Sequence, residues 1–274
     1  MPRILLVVHP ERETAWELAA TATRWWQSHG REVVEVREAE RGAASADCTD
    51  VEFAVSLGGD GTMLRTVEIV LADRVPVLGV NLGRMGYLTA VEPAGMEHAF
   101  ERLLAGEYLV EERMALEAEL SGSLEGSFMA LNDVIVEKTG PGHTIRVAVE
   151  IAGQPFLTYV ADGVVVSTPT GSTAYNLSAR GPVVSPRLQA MVLTPVSPHM
   201  LLDRSLVLEP TEGVRLTVVG DRDAAGVIDG ERSIPLTLGD SVSCRAAAEQ
   251  ARLVSLGERD FHLALRHHFG LTDH

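Results

Sequence analysis

Residues 57–62 read Leu-Gly-Gly-Asp-Gly-Thr, directly after the apolar run Phe53–Leu57 and directly before a helical pattern. Three glycines let a backbone bend sharply and come close to phosphate oxygens. The helix N-terminus behind them offers free N–H groups and a favourable dipole for an anion. Gly58, Gly59, Gly61 and Thr62 are therefore the positions expected to cradle phosphates, at the carboxyl end of a strand, where open α/β sheets bind their ligands. Asp60 stands in the middle of the bend. A carboxylate there has three uses: a helix cap, a metal ligand, or the acceptor of a proton from an attacking hydroxyl. Arg65, one turn into the helix, is a candidate phosphate clamp. The only lysine is Lys138. It has neither the G-K-[S/T] context of a Walker A loop nor the strand context of a protein-kinase lysine. Bound phosphates must then be held by backbone N–H groups, arginines and a metal ion.

Three further stretches carry polar groups suited to a nucleotide. Asn81-Leu-Gly-Arg-Met-Gly-Tyr-Leu88 is a second glycine-rich loop after a strand. Asn132-Asp133 follows a strand-like run and by itself is a turn signal. Residues 162–178, Asp-Gly-Val-Val-Val-Ser-Thr-Pro-Thr-Gly-Ser-Thr-Ala-Tyr-Asn-Leu-Ser, read as a strand, a hydroxyl-rich turn, and a helix beginning near Ala174. Hydroxyls and backbone amides in such a turn can read a base edge, and Tyr175 offers a stacking face. A tyrosine packed in the core is the competing reading of Tyr175.

The Gly-Gly-Asp-Gly-Thr run resembles the motif shared by NAD kinases, diacylglycerol and sphingosine kinases, and 6-phosphofructokinases. It points to phosphoryl transfer without naming the acceptor. The other stretches resemble NAD kinases alone. Residues 81–88 resemble their N-x-G-x-x-G-F-L segment, with Tyr87 for the commoner Phe. Asn132-Asp133 resembles their N-E motif, with Asp133 for Glu, and residues 162–175 resemble their D-G-x-x-x-S-T-P-T-G-S-T-A-Y motif. Thr194–His199 and Asp229-Gly230-Glu231 resemble their T-P-x-[C/S]-P-H and D-G-[E/Q] segments. The resemblance runs from residue 3 to about residue 256. It implies that Asp60 acts on the attacking 2′-hydroxyl of NAD, that Asn132 meets the adenine edge, and that Asp133 meets the nicotinamide-side ribose. It further implies that Asp162 meets the nicotinamide carboxamide. Gly61, Arg65, His143, Thr173, Ala174, Tyr175 and Ser178 are the other positions expected to touch NAD. The implied cofactors are ATP as phosphoryl donor and Mg²⁺ or another divalent cation. The implied assembly is a homodimer or homotetramer with a cleft between two domains.

The elements that must position these groups fall into two regimes. Ile4–Val8, Glu32–Val36, Phe53–Leu57 and Pro76–Val80 read as strands, alternating with helical patterns over 13–29, 62–71 and 94–105. The first helix carries Trp16, Ala19, Ala20, Thr23 and Trp26 at helical spacing, and Gly30 as its C-cap. This is a βαβ series with a parallel sheet. Residues 114–120, 145–151 and 214–218 instead alternate apolar and polar, the pattern of an antiparallel β domain. Residues 260–269 read as a helix, and 41–50 as a loop. The expected fold is α/β: a Rossmann-like domain over 1–105 with about 257–274, and a β-rich, sandwich-like domain over 106–256.

Composition narrows the classes. The chain has 274 residues, 46% of them hydrophobic, enough to bury a core without staples. A net charge of −15 argues against a nucleic-acid partner. The longest apolar runs are too short to span a bilayer, and the N-terminus lacks a signal-peptide pattern, so the reading is a soluble, cytoplasmic protein. Cys48 and Cys244 have no metal-ligand spacing. His262, His267 and His268 do not match a metal motif and read as a solvated terminal helix. A lipid or sugar kinase, or an NAD-binding regulator without catalysis, are the alternatives. The first leaves residues 162–178 unexplained, and the second is disfavoured by the presence of Asp60.

Overall fold

The computed structural model describes residues 1–37, 46–83, 86–89, 91–257 and 261–270. Residues 41–45 of the expected loop, and Arg84 and Met85 of the second glycine-rich stretch, lie outside the described residues, as do the side chains of His267 and His268. In chain order the first elements are β1 (Arg3–Val8), α1 (Glu13–Ser28), β2 (Glu32–Arg37), β3 (Val51–Gly58), α2 (Asp60–Val70), β4 (Val77–Asn81), α3 (Met96–Leu104) and β5 (Leu109–Arg113). Then come β6 (Leu116–Ser121), β7 (Gly126–Ala130), β8 (Asp133–Lys138), β9 (Ile145–Ile151), β10 (Gln154–Ala161), β11 (Gly163–Ser167) and the short α4 (Tyr175–Ser178). The last are β12 (Met191–Val196), β13 (Leu206–Leu208), β14 (Val214–Val218), β15 (Ala224–Ile228), β16 (Arg232–Leu236), β17 (Ser241–Ala246), β18 (Ala251–Ser255) and α5 (Phe261–His268).

The chain forms two compact units, one of Met1–Glu112 with Ala251–His274, the other of Arg113–Gln250. The first holds a six-stranded sheet of order β2-β1-β3-β4-β18-β5, with β1, β2, β3, β4 and β18 paired in parallel. The sequence division at 105/106 and 256/257 differs from this. Leu109–Arg113 and Ala251–Ser255 lie in the first sheet, because β18 extends the parallel ladder at Val77. β1 is a continuous apolar run whose residues 4–8 are all buried, as a central parallel strand requires. On α1 the buried residues are Ala15, Ala19, Ala22 and Trp26. The buried face is thus rotated from the expected one: Ala20 is exposed, and Trp16 sits at the margin with its indole N–H on the Pro10 carbonyl at 3.2 Å. The helix ends as expected. Gly30, at φ +74°, donates to Gln27 O (3.1 Å), and Arg31 donates to Trp26 O (3.0 Å). Trp26 packs on Phe100 of α3 with ring centroids 4.8 Å apart.

The second unit is two antiparallel six-stranded sheets, β10-β9-β14-β17-β6-β7 and β13-β12-β11-β8-β15-β16. One apolar core joins their facing sides, with Val134, Val136, Val164 and Val166 from one sheet and Leu116, Ala118, Val147, Val149 and Leu216 from the other. This is a β-sandwich. The alternating segments of the sequence, β6, β9 and β14, all lie in the first of these sheets. Their polar residues form its outer side, where Arg245 pairs with Glu117 at 2.9 Å. The central strands of the second sheet, β8, β11 and β15, are buried on both sides: Ile135, Val165, Ala225 and Val227 form a separate small cluster on its other face.

Candidate active site

β3 delivers the glycine turn to the start of α2. Gly59 is the N-cap, with extended backbone and no side-chain cap, and Asp60 is the first helical residue. Asp60 is therefore not a cap. Its carboxylate reaches outward to the second glycine stretch: Oδ2 accepts the Tyr87 N–H (2.9 Å) and Oδ1 the Leu88 N–H (3.2 Å). Gly86 makes this approach possible, since a Cβ there would overlap the Asp60 carboxyl. Asn81 shapes the same stretch by bonding Gly83 N–H through Oδ1 and Gly83 O through Nδ2, both at 3.1 Å. Leu82 N–H donates to Gly58 O at 2.9 Å, so the two loops of this sheet edge are stitched together. Gly58 has no room for a side chain because Thr62 fills that space.

Two polar atoms at the start of α2 are buried without a hydrogen-bond partner among the described residues, Thr62 Oγ1 and Arg65 Nη2. Arg65 is 8% exposed and its Nη1 is paired with Glu68. The helical spacing of Glu68 behind Arg65 made that pair foreseeable.

In the second unit the sequence motifs converge on one corner of the buried sheet. Thr168 is the hinge: its N–H donates to Asn132 O (2.9 Å), its hydroxyl donates to Leu131 O (2.6 Å), and that hydroxyl accepts the Gly171 N–H (3.0 Å). A Cβ at Gly171 would run into the Asn132 backbone. One 3₁₀ turn, Gly171–Thr173, precedes α4, which starts at Tyr175, one residue after the expected position. The Ala174 N–H is tied to Gly171 O (2.8 Å), and Thr173 Oγ1 to Thr170 O (3.3 Å). Thr170 Oγ1 is buried without a partner among the described residues. Asn176, not singled out by the sequence, is fully buried. It bonds Ser172 O (3.2 Å), Pro182 O (3.0 Å) and the Thr194 hydroxyl (2.7 Å), which fixes the turn to β12.

Asp133 is 2% exposed and accepts the Tyr175 backbone N–H. Burial, followed by the nearby Asp229 carboxylate, pushes its pKa up from 3.8 to about 7, against the pull of that N–H. Tyr175 is 37% exposed, which removes the core reading of its ring. Its hydroxyl lies 3.5 Å from Glu137 Oε2, and burial and that carboxylate raise the phenol pKa. Asp162 pairs with Lys138 (Nζ to Oδ1, 2.7 Å). The lysine that fits no kinase motif thus sits on a candidate substrate residue, a contact hidden in the antiparallel register of β8 and β11. Ser178 is exposed on α4, and His143 is exposed in the β8–β9 loop. Asp229 also entered unannounced as a contact of Leu131–Asp133. Its Asp-Gly hairpin signal was legible, but its neighbours were not.

A glycine turn that opens a helix on a parallel α/β unit, and a hydroxyl-lined strand–turn–helix on a β-sandwich, are the features of a nucleotide-handling protein of the α/β class. Residues 38–108 match the ATP-NAD kinase N-terminal domain, and residues 131–256 match the ATP-NAD kinase C-terminal domain. The NAD kinase of Heliobacterium modesticaldum is 43% identical over 277 residues, covering 97% of this chain and 98% of its own. That of Moorella thermoacetica is 37% identical over 275 residues, covering 97% and 88%. Among solved structures, an NAD kinase from Archaeoglobus fulgidus in complex with ATP superposes with a TM-score of 0.75 at 26% identity, over 98% of this chain and 97% of that one. Yeast NADH kinase complexed with NADH shares the fold, with a TM-score of 0.81 at 23% identity over 100% and 89%. The chain belongs to the NAD kinase family.

Proposed function

We propose that the chain transfers the γ-phosphoryl group of ATP to the 2′-hydroxyl of the adenosine ribose of NAD, giving NADP and ADP, with Asp60 as the proton acceptor. The observation that carries the Asp60 assignment is its double anchor on the Tyr87 and Leu88 amides. A carboxylate has about four acceptor positions. Among the described residues two are taken by backbone N–H groups that orient it, which leaves the others for a hydroxyl. Most of the catalysis in phosphoryl transfer is positioning and charge stabilisation. Gly58, Gly59, Gly61 and Thr62 supply the phosphate cradle; Thr62 Oγ1 and Arg65 Nη2 are buried and lack a partner among the described residues.

NAD is bound by Asn132 at the adenine edge and Asp133 at the ribose hydroxyls. Asp162 meets the carboxamide, and Thr173, Ala174, Tyr175 and Ser178 line the turn. Gly61 lies near the reacting ribose, and His143 is a further contact. Support for these roles comes from the convergence of Leu131–Asp133, Thr168–Gly171 and Tyr175 through direct hydrogen bonds. Among the described residues no group of three or more His, Cys, Asp or Glu is assembled for a metal. The divalent cation, Mg²⁺, would accompany ATP and, when bound, would neutralise charge on the transferring phosphoryl group. No helix among the described residues is long and apolar enough to cross a membrane. The assembly is a homodimer or homotetramer, which light scattering would count.

Incubation of the protein with NAD, ATP and Mg²⁺ tests the reading. NADP should accumulate in step with ADP. ADP without NADP would overturn the acceptor assignment, and full activity in Asp60→Asn would overturn the role of Asp60.

A further inference from the structure

Asp229 makes an unusual set of contacts for a hairpin residue. The loop between β15 and β16 has positive φ at Asp229 (+49°) and Gly230 (+69°), as in a type I′ turn. The Glu231 N–H closes it on Ile228 O at 3.0 Å. Such a turn needs no carboxylate for its own geometry, since asparagine or glycine serves equally. Yet the Asp229 side chain turns away from its own loop and toward the segment that enters β8. Oδ2 accepts the Leu131 N–H at 2.8 Å, and Oδ1 accepts the N–H groups of Asn132 (2.7 Å) and Asp133 (3.0 Å). The Asp229 N–H donates in return to Asp133 O at 2.9 Å. Three successive amides point into one carboxylate. This is how backbone is held in a bend that ladder pairing does not determine.

We infer that Asp229 is a positioning residue for NAD: it holds Leu131–Asp133 in the conformation that presents the Asn132 side chain and the Asp133 carboxylate to the substrate. The inference rests on the proposed role of Asn132 and Asp133. Its cost is local, since Asp229 sets a second negative charge beside buried Asp133. Asp133 faces Asp229 from the hairpin, Glu137 from its own strand, and the Tyr175 N–H and phenol from α4. Asp229 is the larger of the two carboxylate influences that raise its pKa to about 7. Burial contributes most to that rise, and the anchor moves further upward the pH at which Asp133 becomes the ionised acceptor that ribose hydroxyls need.

Asp229→Asn tests this while respecting the turn, because asparagine tolerates positive φ. It removes the charge and turns an NH₂ toward one of the three amides. KM for NAD should rise about tenfold or more while kcat and KM for Mg·ATP stay within about threefold. The acid limb of NAD affinity, measured as Kd against pH, should move to lower pH, a change that a merely structural role would not produce. Either a KM for NAD within about twofold of wild type or an unmoved limb overturns the inference. Should the variant not fold, hydrogen exchange on the wild-type protein decides. The amides of residues 131–133 should be protected before NAD is added, and exchange as fast as that of the exposed 139–143 loop overturns the anchor. A wild-type protein that forms no NADP would sink the functional reading instead, and the exchange result keeps the two failures apart.

Discussion

Lys138 and Asp162 face each other across the β8–β11 ladder, joined twice. The Lys138 N–H donates to Asp162 O at 2.9 Å, and its Nζ reaches Asp162 Oδ1 at 2.7 Å. The pair is about 30% exposed, with side chains 28% and 31% accessible. Water therefore screens it, and it is worth no more than about 1 kcal/mol to the fold. Its use is to hold the Asp162 carboxylate in one place. Asp162→Ala should raise KM for NAD by about 1.5–3 kcal/mol in binding terms, with kcat nearly unchanged. The melting temperature should fall only slightly. An unchanged KM for NAD would remove Asp162 from the substrate site.

Asp60→Asn keeps the size of the side chain but turns an NH₂ toward either the Tyr87 or the Leu88 amide. The misplaced donor should cost about 1–3 kcal/mol of stability. Loss of the proton acceptor should lower kcat by about 10²–10⁴-fold with KM for NAD close to normal. Steady-state kinetics separates the alternatives. A steep rise in KM for Mg·ATP would mark a metal ligand, and a kcat within a few-fold of wild type would mark a loop anchor only.

Gly86→Ala places a methyl where the Asp60 carboxyl stands. The carboxylate must then leave the Tyr87 and Leu88 amides. We expect kcat to fall by about tenfold or more, as misplacement of a catalytic group does. The wild-type kcat in Gly86→Ala would show that the double anchor is dispensable.

Asp133 predicts a pH signature. Its pKa is near 7 in the folded chain against 3.8 for the free side chain. The folded state therefore binds the extra proton between those values, and stability declines as pH rises from about 4 to 7, by at most about 1.4 kcal/mol per pH unit. Above pH 7 the loss is complete. Asp133→Asn should flatten that decline and gain most in melting temperature over wild type above pH 7. It should also weaken NAD binding there, where wild-type Asp133 is an ionised acceptor. Parallel pH–stability curves for the two proteins would contradict this.

Tyr175→Ala removes a ring that is 37% exposed and contacts Glu137 only through a 3.5 Å hydrogen bond. Calorimetry should find the melting temperature nearly intact, while NAD affinity falls by about 1–2 kcal/mol for a lost stacking face. Tyr175→Phe should resemble wild type. A large thermal loss with normal NAD affinity would make the ring structural.

Much of this was legible in the residue order because it is local. Continuous apolar runs separated by helical spacing define the parallel unit, since a strand buried on both faces has no polar side to show. The Gly-Gly-Asp-Gly-Thr turn and the hydroxyl-rich 162–178 stretch carry their chemistry within a few residues. Other features were decided only by tertiary structure. Val134–Val136 and Val164–Val166 are continuous apolar runs within an antiparallel sheet, because burial of both faces reports covering layers and not strand direction. The face of α1 turned by one position to put Ala15 and Ala22 inside. Above all, the partners of the site carboxylates come from distant parts of the chain: Tyr87 and Leu88 for Asp60, Lys138 for Asp162, and Leu131–Asp133 for Asp229. Spacing along the sequence names the groups able to do chemistry. Which amide or ammonium each one meets depends on strand register and loop closure, and these are settled only when the whole core packs.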